Sequence, residues 1–152
     1  MQKKSPRHLA RSLAVQGIYS YKMNQCSLVE IEDFINSSNG DLFEKANYEL
    51  MHFLIEQTLH DFSGNVARYT PYLKRDINEI NLIEQVILAI ATTELLNNLS
   101  VPAAVVINEA VELAKLYGSE DSFKFINGLV DKLAFEVRND EMINTTKPKR
   151  SI

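Results

Sequence analysis

The sequence predicts an all-α fold in which two small helical bundles pack into one domain. Apolar residues recur at helical spacing over several long stretches, and no stretch shows the period-two alternation of a strand. Only five glycines and four prolines interrupt the 152 residues. We expect the domain to span residues 1–141, with an N-terminal bundle at about 5–63 and a C-terminal bundle at about 78–138.

The first helix is predicted to begin at Ser5-Pro6, because serine is a favoured N-cap and proline fits the first helical position. Its apolar face would carry Ala10, Ala14 and Ile18. A helical wheel puts the basic residues on a different face: Arg7, Arg11 and Lys22.

Two further helices are predicted in the N-terminal half. One covers about residues 27–37 and ends in the turn-forming segment 36–40. The other runs from about Phe43 to Phe62. Gly64 and Thr70-Pro71 then break the helical pattern, and we place the seam between the two bundles there.

The C-terminal half is predicted to contain three helices. A wide apolar face marks the first, over Asn78–Asn98. The next follows Ser100-Val101-Pro102 and ends at Gly118 through a C-terminal glycine cap. The last carries an apolar stripe from Phe123 to Val137, and residues 142–152 beyond it are expected to form a basic, flexible tail.

The charges are segregated along the chain. Residues 1–29 contain five basic residues and no acid, and residues 142–152 contain three basic residues and no acid. Residues 30–141 hold all 20 acidic residues against 8 basic ones. Such a molecule can bring its ends to a polyanion while its body repels one. A solvated tail would explain the C-terminal charges equally well.

Several classes of function are disfavoured by the residues present. Cys26 has no partner for an internal disulfide, and no apolar run reaches the roughly 20 residues of a membrane-spanning helix, so a cytoplasmic protein is expected. His52 and His60 have no acidic or cysteine companions at ligand spacing, so neither a metal nor a cofactor is predicted. Glycine-rich phosphate loops and nucleophile motifs are missing. We therefore do not expect an enzyme.

The start of the last helix, GSEDSFKFING, combines a cation, an aromatic ring and an amide. If Ile126 is the centre of the apolar stripe, Lys124 and Asn127 are surface neighbours and Phe125 flanks the core on the opposite side. These groups suit phosphate pairing, base stacking and hydrogen bonds to a base edge. Packing of Phe125 against a neighbouring helix, with a solvated Lys124, is the alternative.

A second aromatic residue lies beside a second cationic row. Tyr19 adjoins a stripe on the first helix made of Arg7, His8, Arg11 and Lys22, and Lys4 precedes this stripe. Two such sites fit unstacked single-stranded nucleic acid better than a duplex, because splayed bases expose their faces to aromatic rings. We therefore expect RNA as the ligand, bound in one groove that both sites form. A purely protein-binding helical adaptor is the alternative.

Three segments resemble the NusB family of bacterial transcription antitermination factors: ARSLAVQGIYSY, IEQVILAIATTELL and VPAAVVINEAVELAKLYGSEDSFKFINGLVDKL. The resemblance covers roughly residues 7–137. It implies a NusB-like all-α fold and a heterodimer with the ribosomal small-subunit protein called NusE in its transcription role. It also implies binding to boxA RNA of ribosomal RNA leaders and association, through other Nus factors, with elongating RNA polymerase, which then reads through terminators.

The resemblance also implies roles for particular residues. Tyr19 and Glu84 would lie where the RNA and NusE surfaces meet, with Tyr19 contacting both. Asp121 is expected either to repel phosphate or to cap the last helix. The implied RNA contacts, with Lys4 added from the basic N-terminus, are Lys4, Arg7, His8, Arg11, Lys124, Phe125 and Asn127.

The chain departs from the family pattern at two places. Relatives often have an arginine cluster where this chain has Arg7-His8-Leu9, and a Leu-Arg pair where it has Leu88-Ala89. Because histidine is charged only below about pH 6.5, RNA binding is expected to strengthen on mild acidification. RNA cytosine methyltransferases also carry a NusB-like domain, but residues 138–152 are too few for a cofactor-binding domain, so we do not expect that function here.

Overall fold

The protein is described by a computed structural model over residues 4–146, with side chains to residue 144. No strand occurs between residues 4 and 146, which confirms the all-α prediction. Two 3₁₀ turns, Thr70–Tyr72 and Ile77–Glu79, connect α5 to α6. The helices of this range are α1 (Pro6–Asn24), α2 (Leu28–Asn39), α3 (Asp41–Lys45), α4 (Tyr48–His60), α5 (Phe62–Tyr69), α6 (Leu82–Asn97), α7 (Ala103–Tyr117), α8 (Ser122–Val137) and α9 (Asn139–Thr146).

Helix α1 is the centre of the N-terminal half, where it packs on α2, α3 and α4. The Ser5 hydroxyl caps it by accepting a hydrogen bond from the backbone N–H of His8. Gly17 allows α2 to come close, since a Cβ at this position would lie 2.7 Å from the side chains of Ile31 and Ile35. The predicted start of α1 is therefore confirmed.

Helix α6 joins the two halves. Every residue from Val86 to Leu95 is buried, because α6 contacts α1, α4, α5, α7 and α8. The buried apolar side chains of both halves form one continuous core. The packing of α6 thus fixes α7 and α8, which carry candidate site residues, relative to α1.

Two helix boundaries differ from those predicted. The helix expected over residues 43–62 is split, because the Asn47 side chain accepts a hydrogen bond from the N–H of Leu50 and so begins α4. Helix α6 begins later than expected, because Asn81 and Glu84 form a capping box at its N-terminus. Both boundaries follow from polar side chains that bind their own backbone.

Gly118 ends α7, but a left-handed glycine cap is the wrong explanation. Its φ is −86°, a value that any residue adopts. A Cβ at Gly118 would instead lie 2.7 Å from the carbonyl oxygen of Ala114 and 2.7 Å from the Cβ of Ser122. Glycine is required here because α7 and α8 meet too closely for a side chain.

Helix α9 occupies the start of the segment for which a flexible tail is predicted. Met142 is buried, and the Glu141 carboxylate accepts a hydrogen bond from the N–H of Ala103 at 2.7 Å. The guanidinium of Arg138, next to α9, donates to backbone carbonyls at the end of α6. The tail prediction is therefore wrong for residues 142–146, and residues 147–152 lie outside the described range.

Candidate nucleic-acid interface

Lys124 and Asn127 line one groove between α7 and α8, with a volume of about 620 Å³. Both side chains are exposed. Lys115 on α7 faces them, and its ammonium group lies 5.2 Å from the ring centroid of Phe123, while that of Lys124 lies 5.9 Å from the same ring. The wheel prediction that Lys124 and Asn127 are neighbours is confirmed. Asp131 adds one negative charge to the groove.

Phe125 lies on the other flank of α8, as the wheel predicts. Its half-buried ring packs against the core and lines a second cavity of about 330 Å³. The guanidinium of Arg75 lies over this ring, 4.2 Å from its centroid. Lys124 lines both cavities and so connects the two flanks of α8.

The start of α8 is held by a buried hydrogen-bond chain. The hydroxyl of Ser122 accepts from the N–H of Ser119 at 3.0 Å and donates to the Glu84 carboxylate at 2.8 Å. Glu84 is only 4% exposed, so its predicted place on a partner-facing surface is wrong. It is buried because it serves the capping box of α6 and anchors the N-terminus of α8.

Asp121 is exposed beside this N-terminus. It occupies the N-cap position of α8, but its side chain makes no capping hydrogen bond. Of the two predicted roles, the capping role is therefore wrong. The other role, repulsion of phosphate, stays a prediction, and the exposed position of Asp121 is compatible with it.

Arg11 does not lie on the surface of α1. Its Nε donates to Glu94 Oε1 at 2.6 Å and a terminal nitrogen donates to Oε2 at 2.9 Å, and both side chains are 2% exposed. Burial lowers the pKa of Arg11, but the hydrogen bond and the charge of Glu94 outweigh it, so the net shift is upward. The charge of Arg11 is therefore neutralised within the core, between α1 and α6, and is not offered to a ligand.

His8 is also turned towards a carboxylate. It is 8% exposed, and its Nδ1 lies 2.8 Å from Oε2 of Glu109 on α7. The ring is held in the contact between α1 and α7, so the geometry gives no support to a direct contact between His8 and RNA. Arg7 and Lys4, in contrast, are exposed.

Helix α7 separates the two groups of candidate residues. On one flank, Glu109 and Tyr117 contact α1, where Tyr117 Oη lies 2.6 Å from the hydroxyl of Ser12. On its other flank, Asn108 and Lys115 face α8 across the groove. The groove that holds Lys124 and Asn127 is lined by no residue of α1, so the described residues do not bring the two predicted sites together in one pocket, and a shared groove stays a prediction.

Comparison with known proteins decides the family. The sequence profile of the NusB family matches residues 8–135. This chain belongs to the NusB family. The transcription antitermination protein NusB of Aromatoleum aromaticum is 40% identical over 142 residues, which cover 93% of this chain and 97% of the relative. The protein of the same name from Alteromonas mediterranea is 42% identical over 139 residues, which cover 91% and 98%.

A solved structure of T. maritima NusB agrees with this assignment. It matches with a TM-score of 0.74 at 27% identity and covers 93% of this chain and 99% of the solved one. The family predicted from sequence, its fold class and its general function in transcription antitermination are thus confirmed. Membership in this family also supports the prediction that the chain is not an enzyme.

Tyr19 lies apart from the RNA candidates of this NusB-family chain. It is 38% exposed and lines a groove of about 530 Å³. The groove is mainly apolar, and Met23, Phe34 and Ile83 also line it.

None of the helices between residues 4 and 146 has the length and apolar character needed to cross a membrane.

Three basic residues beside Phe125 were not predicted from the sequence. Lys74, Arg75 and Lys132 line the same cavity as its ring. The adjacent pair Lys74-Arg75 in the α5–α6 linker is the only sequence signal for them. Their proximity to α8 becomes visible only when the chain is folded.

Proposed function

We propose that this chain binds boxA RNA of ribosomal RNA leaders as a heterodimer with NusE. In this role it joins elongating RNA polymerase through other Nus factors and helps it to read through terminators. The observation that carries the proposal is the exposed pair Lys124 and Asn127 in the α7–α8 groove of a NusB-family chain. The ammonium group suits a phosphate, and the amide can both donate to and accept from a base edge.

The other candidate residues take different roles in this proposal. Arg7 and Lys4 are exposed and add positive charge for the RNA backbone. Arg11 and His8 act through position, because their contacts with Glu94 and Glu109 hold α1 against α6 and α7. Phe125 contributes the aromatic ring on the second flank of α8.

NusE is proposed to dock on the Tyr19 groove. The exposed apolar side chains that line this groove, Tyr19, Met23 and Phe34, are typical of a protein contact surface. The acidic residues of the body, segment 30–141, favour approach of a basic ribosomal protein. Docking of NusE would then add basic surface beside the RNA and stabilise a complex that the chain forms only weakly alone.

The test is a titration of labelled boxA RNA and of a scrambled RNA of the same composition, with and without NusE. We expect preference for boxA, tighter binding with NusE, and a loss of roughly 20- to 50-fold in affinity between 50 and 200 mM salt if three to four phosphates are neutralised. Equal binding to both RNAs would support the protein-binding adaptor instead.

Substitution at the groove makes this test specific. Lys124→Gln should weaken boxA binding, whereas Lys22→Gln should not, because Lys22 is at the far end of α1 with its ammonium 4.1 Å from the ring centroid of Phe62. An equal loss in the two variants would mean that net charge, and not the groove, determines binding.

A further inference from the structure

The cavity beside Phe125 combines four cations with two aromatic rings. Arg75 and Lys74 come from the α5–α6 linker, and Lys124 and Lys132 from α8. None of the described residues that line the cavity is acidic. In a body whose acidic residues outnumber its basic ones by 20 to 8, such a concentration of positive charge identifies a site for an anion.

The Arg75–Phe125 contact gives this cavity a stacking surface. The guanidinium lies 4.2 Å from the ring centroid, and Arg75 is exposed. Because Arg75 is exposed, its guanidinium is accessible to a planar ligand from solvent while it contacts Phe125. Bases of single-stranded RNA stack on arginine planes as well as on aromatic rings.

Acidic groups mark the limit of the cavity. Burial, together with a hydrogen bond to Glu136, raises the pKa of Tyr72. The hydroxyl of Tyr72 is therefore engaged by Glu136, which lies near the C-terminal end of α8, away from Lys124. Asp76 follows Arg75 in the chain, but its carboxylate is engaged by the N–H of Asn78 at 2.9 Å.

Lys124 connects this cavity to the groove already described, because it lines both. A strand bound at Lys124 and Asn127 can therefore continue around the start of α8 to Arg75. Gly128, which also lines the cavity, is exposed and has no atom within 4 Å of where a Cβ would be, so the path along this flank of α8 is open.

We propose that the cavity between the α5–α6 linker and α8 is a second RNA subsite. The exposed guanidinium of Arg75, supported by Phe125, stacks on a base of the single strand, and Lys74 and Lys132 bind the flanking phosphates. This inference rests on the proposed function and extends it, since it assigns a direct RNA contact to Arg75 and makes Phe125 the support of that contact.

The experiment measures fluorescence anisotropy of labelled boxA RNA with the full chain in the presence of NusE, over a series of salt concentrations. Arg75→Gln should lower affinity about 5- to 20-fold, because a base stack and one positive charge beside the strand are both lost. Lys132→Gln should lower it about 3-fold and reduce the slope of log affinity against log salt by about 0.7. Arg75→Lys should keep the salt slope but lose affinity, because the charge remains without the plane.

The matched control is Arg68→Gln. Arg68 is another exposed arginine near the linker, and it pairs with Asp61 at 3.2 Å outside the cavity. Its RNA affinity should stay within about twofold of that of the unsubstituted chain, because Arg68 is not among the residues that line the cavity and its charge is paired with Asp61. Thermal unfolding of each variant identifies any loss of fold, and exposed Lys132 provides a second test should Arg75→Gln disturb Phe125.

The outcomes separate the two proposals. If the unsubstituted chain prefers boxA but Arg75→Gln and Lys132→Gln bind like Arg68→Gln, the subsite is refuted and the proposed function stands. If the unsubstituted chain does not prefer boxA over scrambled RNA, both are refuted. A loss in Arg75→Gln and Lys132→Gln, with a reduced salt slope in Lys132→Gln, supports the subsite.

Discussion

Substitution of Arg11 tests whether a basic residue of α1 stabilises the fold or contacts RNA. Arg11→Gln removes the charge that neutralises Glu94, and both side chains are 2% exposed. Removal of one partner from a buried, hydrogen-bonded ion pair costs about 3–5 kcal/mol. A chain of this size loses about 2–4 °C in Tm per kcal/mol, so we expect Tm to fall by roughly 6–20 °C.

The assay is urea denaturation followed by circular dichroism, with RNA titration at a temperature where every variant is folded. Arg7→Gln is the matched control, because Arg7 is exposed on the same helix. It should leave the free energy of unfolding within about 0.5 kcal/mol and still weaken RNA binding. The double variant Arg11→Met with Glu94→Leu should recover most of the lost stability, because it leaves no unpaired buried charge.

The reasoning would be refuted by the opposite pattern. If Arg11→Gln costs less than about 1 kcal/mol and weakens RNA binding as much as Arg7→Gln, Arg11 reaches the ligand. The buried pair with Glu94 would then not describe the protein in solution.

Three further predictions concern pH, packing and charge. Glu32 raises the pKa of His52, so this pair should stabilise the fold below about pH 6.5 and lose its effect as pH rises through the raised pKa. The measurement is the free energy of unfolding of the His52→Gln variant and of the unsubstituted chain at acid and alkaline pH. The difference should be below about 1 kcal/mol, because the His52 side chain is 37% exposed. Gly17→Ala should destabilise by about 1–3 kcal/mol in urea through its clash with α2, whereas exposed Gly128→Ala should stabilise by up to about 1 kcal/mol. Asp121→Asn should raise RNA affinity about 2- to 5-fold in titrations without changing Tm, and unchanged or lower affinity would exclude repulsion.

Local features of the sequence determined much of the secondary structure. Ser5-Pro6 predicts the start of α1, and its cap is formed within one turn. The same locality explains why Lys124 and Asn127 were correctly placed as neighbours, since helical periodicity alone relates residues three apart. Asn47 and Asn81 show the limit, because their capping bonds override an apolar pattern that continues across them.

The contacts of the charged residues were decided by tertiary structure. Arg11 and Arg7 both look like cations on a basic helix, but only Arg11 meets a carboxylate, that of Glu94, which is 83 positions away in the chain. Arg75 gains its place over Phe125 in the same way. A helical wheel gives the direction of a side chain but not what the neighbouring helix presents there.

By itself, the sequence determined the helical class, the family and the chemical character of the start of α8, because capping, periodicity and residue type act over a few neighbouring positions. The packing of α6 against α1, α7 and α8 decided which charges are buried and which remain for a ligand. An ion pair or a cation–ring contact forms only where the backbones of two distant segments are held at the right separation, and that separation is a property of the whole core.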